Sequence, residues 1–346
     1  MDDQPARPID AACESIATAA PADRGRRRLG LAALSATALA GLPAHAHAQA
    51  DRPVSLVVPF APGGIADITA RPLAIPLARE LSQSVIVENR VGAGGATGMA
   101  YVARQKPDGH TLMLALSSAV VIPLINKAAG RPSVYEMSQF TPICVVSADP
   151  TVLAVRADSP YRTIQDVLQA AREKPGKLTY STSGVYGTTH ICQLMLWQAA
   201  KVDMLHVPYN GGGPSMMALL AGEVELTAQA PGVLVPHLQA GKVRILGTWG
   251  SARLPVFPDV PTFREAGFDV EFFIWTALFA PAGLAPEKLA ELQRAARRSV
   301  NDPDFVKAMT ARSTPLRYLE GAELAAFLKS DEARMAKVVQ GMGKIE

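Results

Sequence analysis

Cysteine is scarce in this sequence, with three residues in 346: Cys13, Cys144 and Cys192. That excludes a disulfide framework, and no C-x-x-C spacing offers a metal cage. Histidine is almost as sparse. His110, His190, His206 and His237 are single residues without an H-E-x-x-H or other ligating pattern, so neither a metal nor a cofactor is expected. Aromatic residues make up only 6% of the chain and no basic stripe runs through it, which argues against nucleic acid as a partner. Beyond residue 42 no apolar run is long enough to span a bilayer. The Gly-rich segment Asn89–Gly95 lacks both the Lys-Ser/Thr of a P-loop and the G-x-G-x-x-G spacing, so it does not read as a nucleotide site.

What is present is enough apolar residue to fill real cores, 49% against 19% charged, and a length that calls for two domains of ordinary size. Arg24, Arg26, Arg27 and Arg28 precede an apolar run from Leu29 to Leu42 and then small residues alternating up to Ala48. This pattern is that of a secretory signal peptide, residues 1–48, for the Sec or the twin-arginine route. Those 48 residues carry five basic and five acidic side chains, so 34 − 5 = 29 basic and 31 − 5 = 26 acidic remain, the same +3 as the whole chain. The expected product is an exported protein; Cys144 and Cys192 could pair in an oxidising compartment, but one lies in an apolar strand pattern and one in a helical pattern, which favours unpaired core thiols.

Short apolar runs alternate with helical periods along the mature chain. Val54–Pro59 reads as a strand, followed by a glycine turn and a helix bearing Leu73, Leu77 and Leu81, in which Pro72 and Pro76 predict a kink. Later runs repeat the scheme, and beyond Pro286 the pattern becomes helical. Alternation of this kind predicts an α/β fold with parallel sheets, whose ligands sit where strand-to-helix turns converge.

Four turns stand out. Pro59–Asp67 holds Gly63 and Gly64 ahead of a helix start, a geometry that favours an anion. Asp67 suits either a ligand ammonium group or the first helical turn. Asn89–Gly95 is the second. Ser181–His190 brings hydroxyls and glycines to another helix, and Tyr209–Ser215 brings three glycines and a proline. Two such turns facing each other offer each carboxylate charge-assisted amide bonds worth about 1.5–3 kcal/mol apiece, with about 0.3–1 kcal/mol more from a helix terminus. No lysine or arginine is required. Ser183 and His190 do not form a nucleophile elbow, since no G-x-S-x-G surrounds either serine of that turn, and no catalytic residue is assigned.

Taken in order, Val58-Pro-Phe-Ala-Pro-Gly-Gly64 with Asp67, Val87–Gly95, Lys106–Leu112, His206–Pro214, Ala218–Gly222, Pro255–Thr262 and Ala280–Gly283 make a specific set over the whole mature chain. This set resembles the extracytoplasmic receptors of tripartite tricarboxylate transporters, the Bug-type solute-binding proteins. The resemblance implies a two-domain, periplasmic-binding-protein-like (Venus flytrap) α/β fold with its ligand cleft between the domains. It implies a monomeric periplasmic receptor, not an enzyme, that closes on a small carboxylate and delivers it to integral membrane permease subunits. A receptor for a membrane sensor is the alternative function, and a secreted hydrolase a distant third.

The expected division is 51–149 plus 274–346 for one domain and 150–273 for the other, with crossings near Asp149–Pro150 and Phe272–Trp275. Carried over residue by residue, the resemblance assigns ligand contacts to Phe60, Ala61, Gly63, Gly64 and Asp67, to Ser117 and Ser118, and to Ser183, Gly184, Thr188 and Thr189. Tyr186 departs from the family pattern by adding bulk to a stretch of small residues, and is expected to line the pocket itself.

Overall fold

A computed structural model describes residues 52–341 of the chain; the expected signal peptide, 1–48, lies outside the described residues. The chain builds two sheets in turn. It starts with β1 (Val54–Val58), α1 (Ile65–Leu81), β2 (Val85–Asn89), α2 (Ala96–Val102), β3 (Thr111–Leu116), α3 (Ser118–Ala128) and the long β4 (Phe140–Pro150). After Thr151 it enters β5 (Val152–Arg156), α4 (Ile164–Glu173), β6 (Thr179–Thr182), α5 (Thr188–Ala200), β7 (Leu205–Pro208), α6 (Gly212–Ala221), β8 (Leu226–Gln229), α7 (Pro231–Gln239) and β9 (Val243–Thr248). It returns through β10 (Phe273–Pro281), α8 (Pro286–Val300), α9 (Pro303–Thr310), β11 (Leu316–Leu319) and α10 (Gly321–Gly341).

The first sheet has the order β11-β4-β10-β3-β1-β2 and the second β7-β6-β8-β5-β9. The α/β class follows the sequence pattern, but the expectation of parallel sheets needs correcting, because both sheets are mixed. β1 pairs in parallel with β2 and β3, and β6 with β7 and β8, whereas β10 runs antiparallel to β3 and β4, and β5 antiparallel to β8 and β9. The reversed strands belong to the two crossings between sheets. β4 leaves the first sheet and becomes β5 after a single residue, and β10 brings the chain back beside β4. The two crossings are tied to each other: Trp249 N–H donates to the Thr151 carbonyl at 3.0 Å, and Phe272 N–H to the Trp249 carbonyl at 3.0 Å.

Helix α1 runs through Pro72 and Pro76 without a break. Proline removes one main-chain donor at each position, but Leu73, Ala74 and Leu77 stay buried in the core on the sheet side, and that burial holds the helix together. Trp249 and Trp275 are fully buried, as are Phe263, Phe272 and Phe279. Cys144 and Cys192 are buried and unpaired, as their strand and helix patterns predict.

Candidate ligand-binding site

Four helices start in one place, and none of them is capped by the side chain of its own N-cap residue; of their first N–H groups, that of Ser118 meets Thr188 Oγ1. The N-cap positions are Gly64 for α1, Ser117 for α3, Gly187 for α5 and Gly211 for α6, and at each the cap residue's side chain accepts no hydrogen bond from the helix. The first N–H groups of a helix carry partial positive charge, so convergent starts make a surface that attracts anions.

Glycine is what lets these starts meet. A Cβ on Gly64 would lie 3.1 Å from the Gly212 main-chain nitrogen, and one on Gly184 2.8 Å from Gly94 Cα. Gly184 also has φ +127°, a conformation closed to other residues without strain. Hydrogen bonds join the same segments. Ala61 N–H donates to the Asn210 carbonyl at 2.8 Å, and Ser118 N–H donates to Thr188 Oγ1 at 3.3 Å. Ser118 Oγ donates to the Gly94 carbonyl at 3.2 Å, and Ser117 Oγ reaches Thr188 Oγ1 at 3.5 Å. Residues carried by the first sheet thus meet residues carried by the second, main chain against main chain.

The residues expected from the sequence fall into distinct roles. Gly63 and Gly64 stand opposite Gly212 and Gly213, with Ser117 and Ser118 against Thr188. Ser183 and Thr189 brace their own turn, since Ser183 N–H donates to Thr189 Oγ1 at 2.7 Å and Thr189 Oγ1 donates to Ser183 Oγ at 3.0 Å. The Phe60 ring packs beneath Gly95, where a Cβ would come within 2.8 Å of it, so only its main chain faces the turn. Asp67 is fully used inside the protein. Its carboxylate accepts from Gly63 N–H at 3.1 Å, from Arg71 Nε at 3.0 Å and Nη2 at 2.7 Å, and from Asn89 Nδ2 at 3.0 Å. Burial alone would raise its pKa, but the Arg71, Asn89 and Gly63 hydrogen bonds outweigh that and hold it below the usual carboxylate value.

Behind the second turn lies a stack that sequence reading did not find. The His190 and His206 rings are parallel within 8° with centroids 3.8 Å apart, and Tyr180 stacks on His206 at 5.2 Å. His190 Nδ1 accepts from Tyr186 N–H at 2.9 Å, while His206 Nε2 and Thr182 Oγ1 share a 2.7 Å bond. Burial, then the neighbouring His206, lowers the His190 pKa to about 3, and burial lowers that of His206 to about 4. Both are therefore neutral near pH 7. His190 and His206 are 16 positions apart on different elements, and no spacing signals their contact. Asn210, Gly211 and Gly212 also belong to this meeting point; their glycines were the signal.

With Asp67 paired to Arg71 and both imidazoles uncharged, the residues named above offer main-chain N–H groups and hydroxyls. Ser183 and His190 do not pair with each other, since Ser183 bonds Thr189 and His190 Nδ1 accepts from Tyr186. Among the described residues no cluster of His, Cys, Asp or Glu is placed to hold a metal.

The family model described as tripartite tricarboxylate transporter family receptor matches residues 69–344. The chain belongs to that family. It shares 34% identity over 333 residues with the UPF0065 protein of the tcbD–tcbE intergenic region of Pseudomonas sp. strain P51, covering 92% of this chain and 95% of that protein. The solved structure of the periplasmic binding protein BugD superposes with a TM-score of 0.79 at 30% identity, over 84% of this chain and 98% of BugD. MatC from Rhodopseudomonas palustris, solved with bound malate, superposes with a TM-score of 0.76 at 31% identity, over 83% of this chain and 99% of MatC. The fold is that of these binding proteins, and the family is one of periplasmic solute-binding receptors rather than of enzymes.

Proposed function

We propose that this receptor captures a small carboxylate between two lobes, residues 51–149 with 274–346 and residues 150–273, and passes it as a monomer to the membrane subunits of a tripartite transporter. It works from the periplasm after export through its N-terminal leader, and it performs no turnover. The observation that carries this reading is the convergence on a glycine-lined seam of four helix starts, none capped by its own N-cap side chain. The malate in MatC, a relative of the same fold, supports the ligand class.

In this reading Gly63, Gly64, Ser117, Ser118, Ser183, Gly184, Thr188 and Thr189 present the donors, and Tyr186 closes one wall. The main-chain groups of Phe60 and Ala61 contribute to the first turn. Asp67 acts through Arg71, Asn89 and Gly63 as the brace of that turn. Each charge-assisted amide bond of about 1.5–3 kcal/mol works towards the roughly 8 kcal/mol of a micromolar complex.

The test is a thermal-shift screen of the chain from residue 51 onward against mono-, di- and tricarboxylates, amino acids and aromatic acids, followed by calorimetry on any hit. A ligand bound only by the folded state raises the melting temperature in step with its concentration. A shift with a carboxylate supports the reading, and a panel in which only amino cations shift the transition overturns it.

A further inference from the structure

Asp149 lies near the end of β4, three residues before β5 begins in the second sheet, paired across the ladder with Ile274. It is fully buried, and both carboxyl oxygens are enclosed without a hydrogen-bond partner among the described residues. Beside it is a crevice of about 480 Å³. One wall, with Val306, Thr314 and Leu316, comes from the chain after β10; the other, with Pro231, Leu254 and Val256, comes from the chain between β8 and β10. The walls meet closely, since a Cβ on Gly232 at the start of α7 would come within 2.2 Å of Thr314 Oγ1.

Among the described residues no charged or titratable side chain lines this crevice with Asp149 from α7, the 254–256 loop, α9 or the 313–316 segment. The charged neighbours in sequence are engaged or turned elsewhere. Arg253 pairs with Glu265 at 3.0 Å, Arg317 lies over the Phe327 ring, and Arg312 lines the adjoining groove with His237. Burial is the single influence on the carboxyl, and it raises the pKa well above the ordinary value.

We infer that Asp149 couples lobe closure to protonation, taking one proton from solvent as the crevice shuts over it and returning that proton when the crevice opens. The inference rests on the proposed closure around a carboxylate. It follows from position: an acid without partners at the crossing, between walls carried by different lobes, is dry when the lobes are together and wet when they part. The sign is fixed by linkage. The closed form binds the extra proton, so closure becomes harder as pH rises from the ordinary carboxyl value of about 3.9 towards the raised one, by up to tenfold per pH unit. The histidine stack does not contribute above about pH 5, because His190 and His206 titrate near 3 and 4.

The experiment is calorimetry of malate binding between about pH 6.5 and 8.5, above the ordinary carboxyl range, in two buffers of different ionisation enthalpy, for the wild type and Asp149→Asn. The wild type is expected to take up more protons per malate than Asp149→Asn, most at the acid end of the range, and to lose affinity as pH rises while that uptake persists; Asp149→Asn is expected to take up none and to keep a flat profile. Equal proton uptake in the two proteins overturns the inference. Failure of malate to bind either protein counts against the ligand class, and small-angle scattering without ligand then decides the proton linkage. Acid-induced compaction of the wild type but not of Asp149→Asn upholds it, and identical scattering profiles overturn it.

Discussion

The main-chain N–H of Tyr186 donates to Nδ1 of His190 at 2.9 Å, and this bond fixes a non-glycine residue at φ +56° in the middle of the second turn. A left-handed residue costs about 1–2 kcal/mol, so it needs a partner that over-determines it. His190 supplies the acceptor only while neutral. Replacing it by Ala leaves the Tyr186 N–H without its acceptor, with an expected loss of about 1–3 kcal/mol in stability by urea unfolding. A change below about 0.5 kcal/mol would show that the turn holds itself.

The same pair predicts an acid limit to stability. Folded-state values of about 3 for His190 and about 4 for His206 lie below the unfolded 6.5, so the folded chain binds fewer protons between them. Their contribution is complete above about pH 6.5 and is lost as pH falls towards 4. The melting temperature of the wild type should therefore drop more steeply over that interval than that of His206→Gln. Parallel curves would mean that the stack titrates normally.

Gly64 stands 3.1 Å, measured from a built Cβ, from the Gly212 nitrogen, while its own φ of −83° suits any residue. Gly64→Val should for this reason leave the fold standing and obstruct the meeting of the two turns. Malate affinity by calorimetry is expected to fall at least tenfold, about 1.4 kcal/mol, with a melting temperature close to wild type. An unaltered affinity would remove the first turn from the site.

The strand-turn-helix units and the glycine turns were legible in the sequence because each is a local signal: a run of β-branched residues, a glycine pair, a helical period. The antiparallel strands were not, because β10 reads as apolar residues whatever its direction, and only the return from the second sheet sets that direction. The stack of His190 on His206 and the saturation of Asp67 by Arg71 and Asn89 are likewise long-range facts. Asp67 shows the limit well: its position fits a helix-start acid, and the i, i+4 spacing to Arg71 was visible, yet Asn89 arrives from the next strand. The crossing near Asp149–Pro150 was expected, but nothing in the sequence shows that the carboxyl there is buried, near the end of a strand.

Arg71 has a largely exposed side chain but grips a buried carboxylate with two nitrogens. Exposure of the guanidinium to solvent limits its own worth to about 0–1 kcal/mol, while the carboxylate it leaves behind keeps the Gly63 and Asn89 donors. Arg71→Ala should thus lower stability by no more than about 1–2 kcal/mol and raise the Asp67 pKa towards its ordinary value. The check is the pH at which acid unfolding begins, expected to move upward in the variant because a depressed carboxyl stabilises the fold above its unfolded pKa and loses that effect as pH falls. Coincident acid transitions would show that Asn89 and Gly63 suffice.

Cys144 and Cys192 are both buried and unpaired, and burial pushes both thiols well above their usual values. Only the thiolate reacts, so neither should be labelled in the native protein by a thiol-directed reagent at pH 8, and both should react once the chain is unfolded. The melting temperature should also be indifferent to a reducing agent, because no disulfide constrains the unfolded state. The cysteines lie in different places, on β4 in the first sheet and on α5 beside the second, and labelling therefore reports two regions separately. Site-resolved mass spectrometry under mild denaturant will show whether the α5 thiol opens before the β4 thiol. α5 starts at the proposed ligand seam, so a bound carboxylate is expected to slow labelling of Cys192 more than that of Cys144. Equal protection of the two thiols would mean that the ligand stabilises the chain as a whole and not at the second turn.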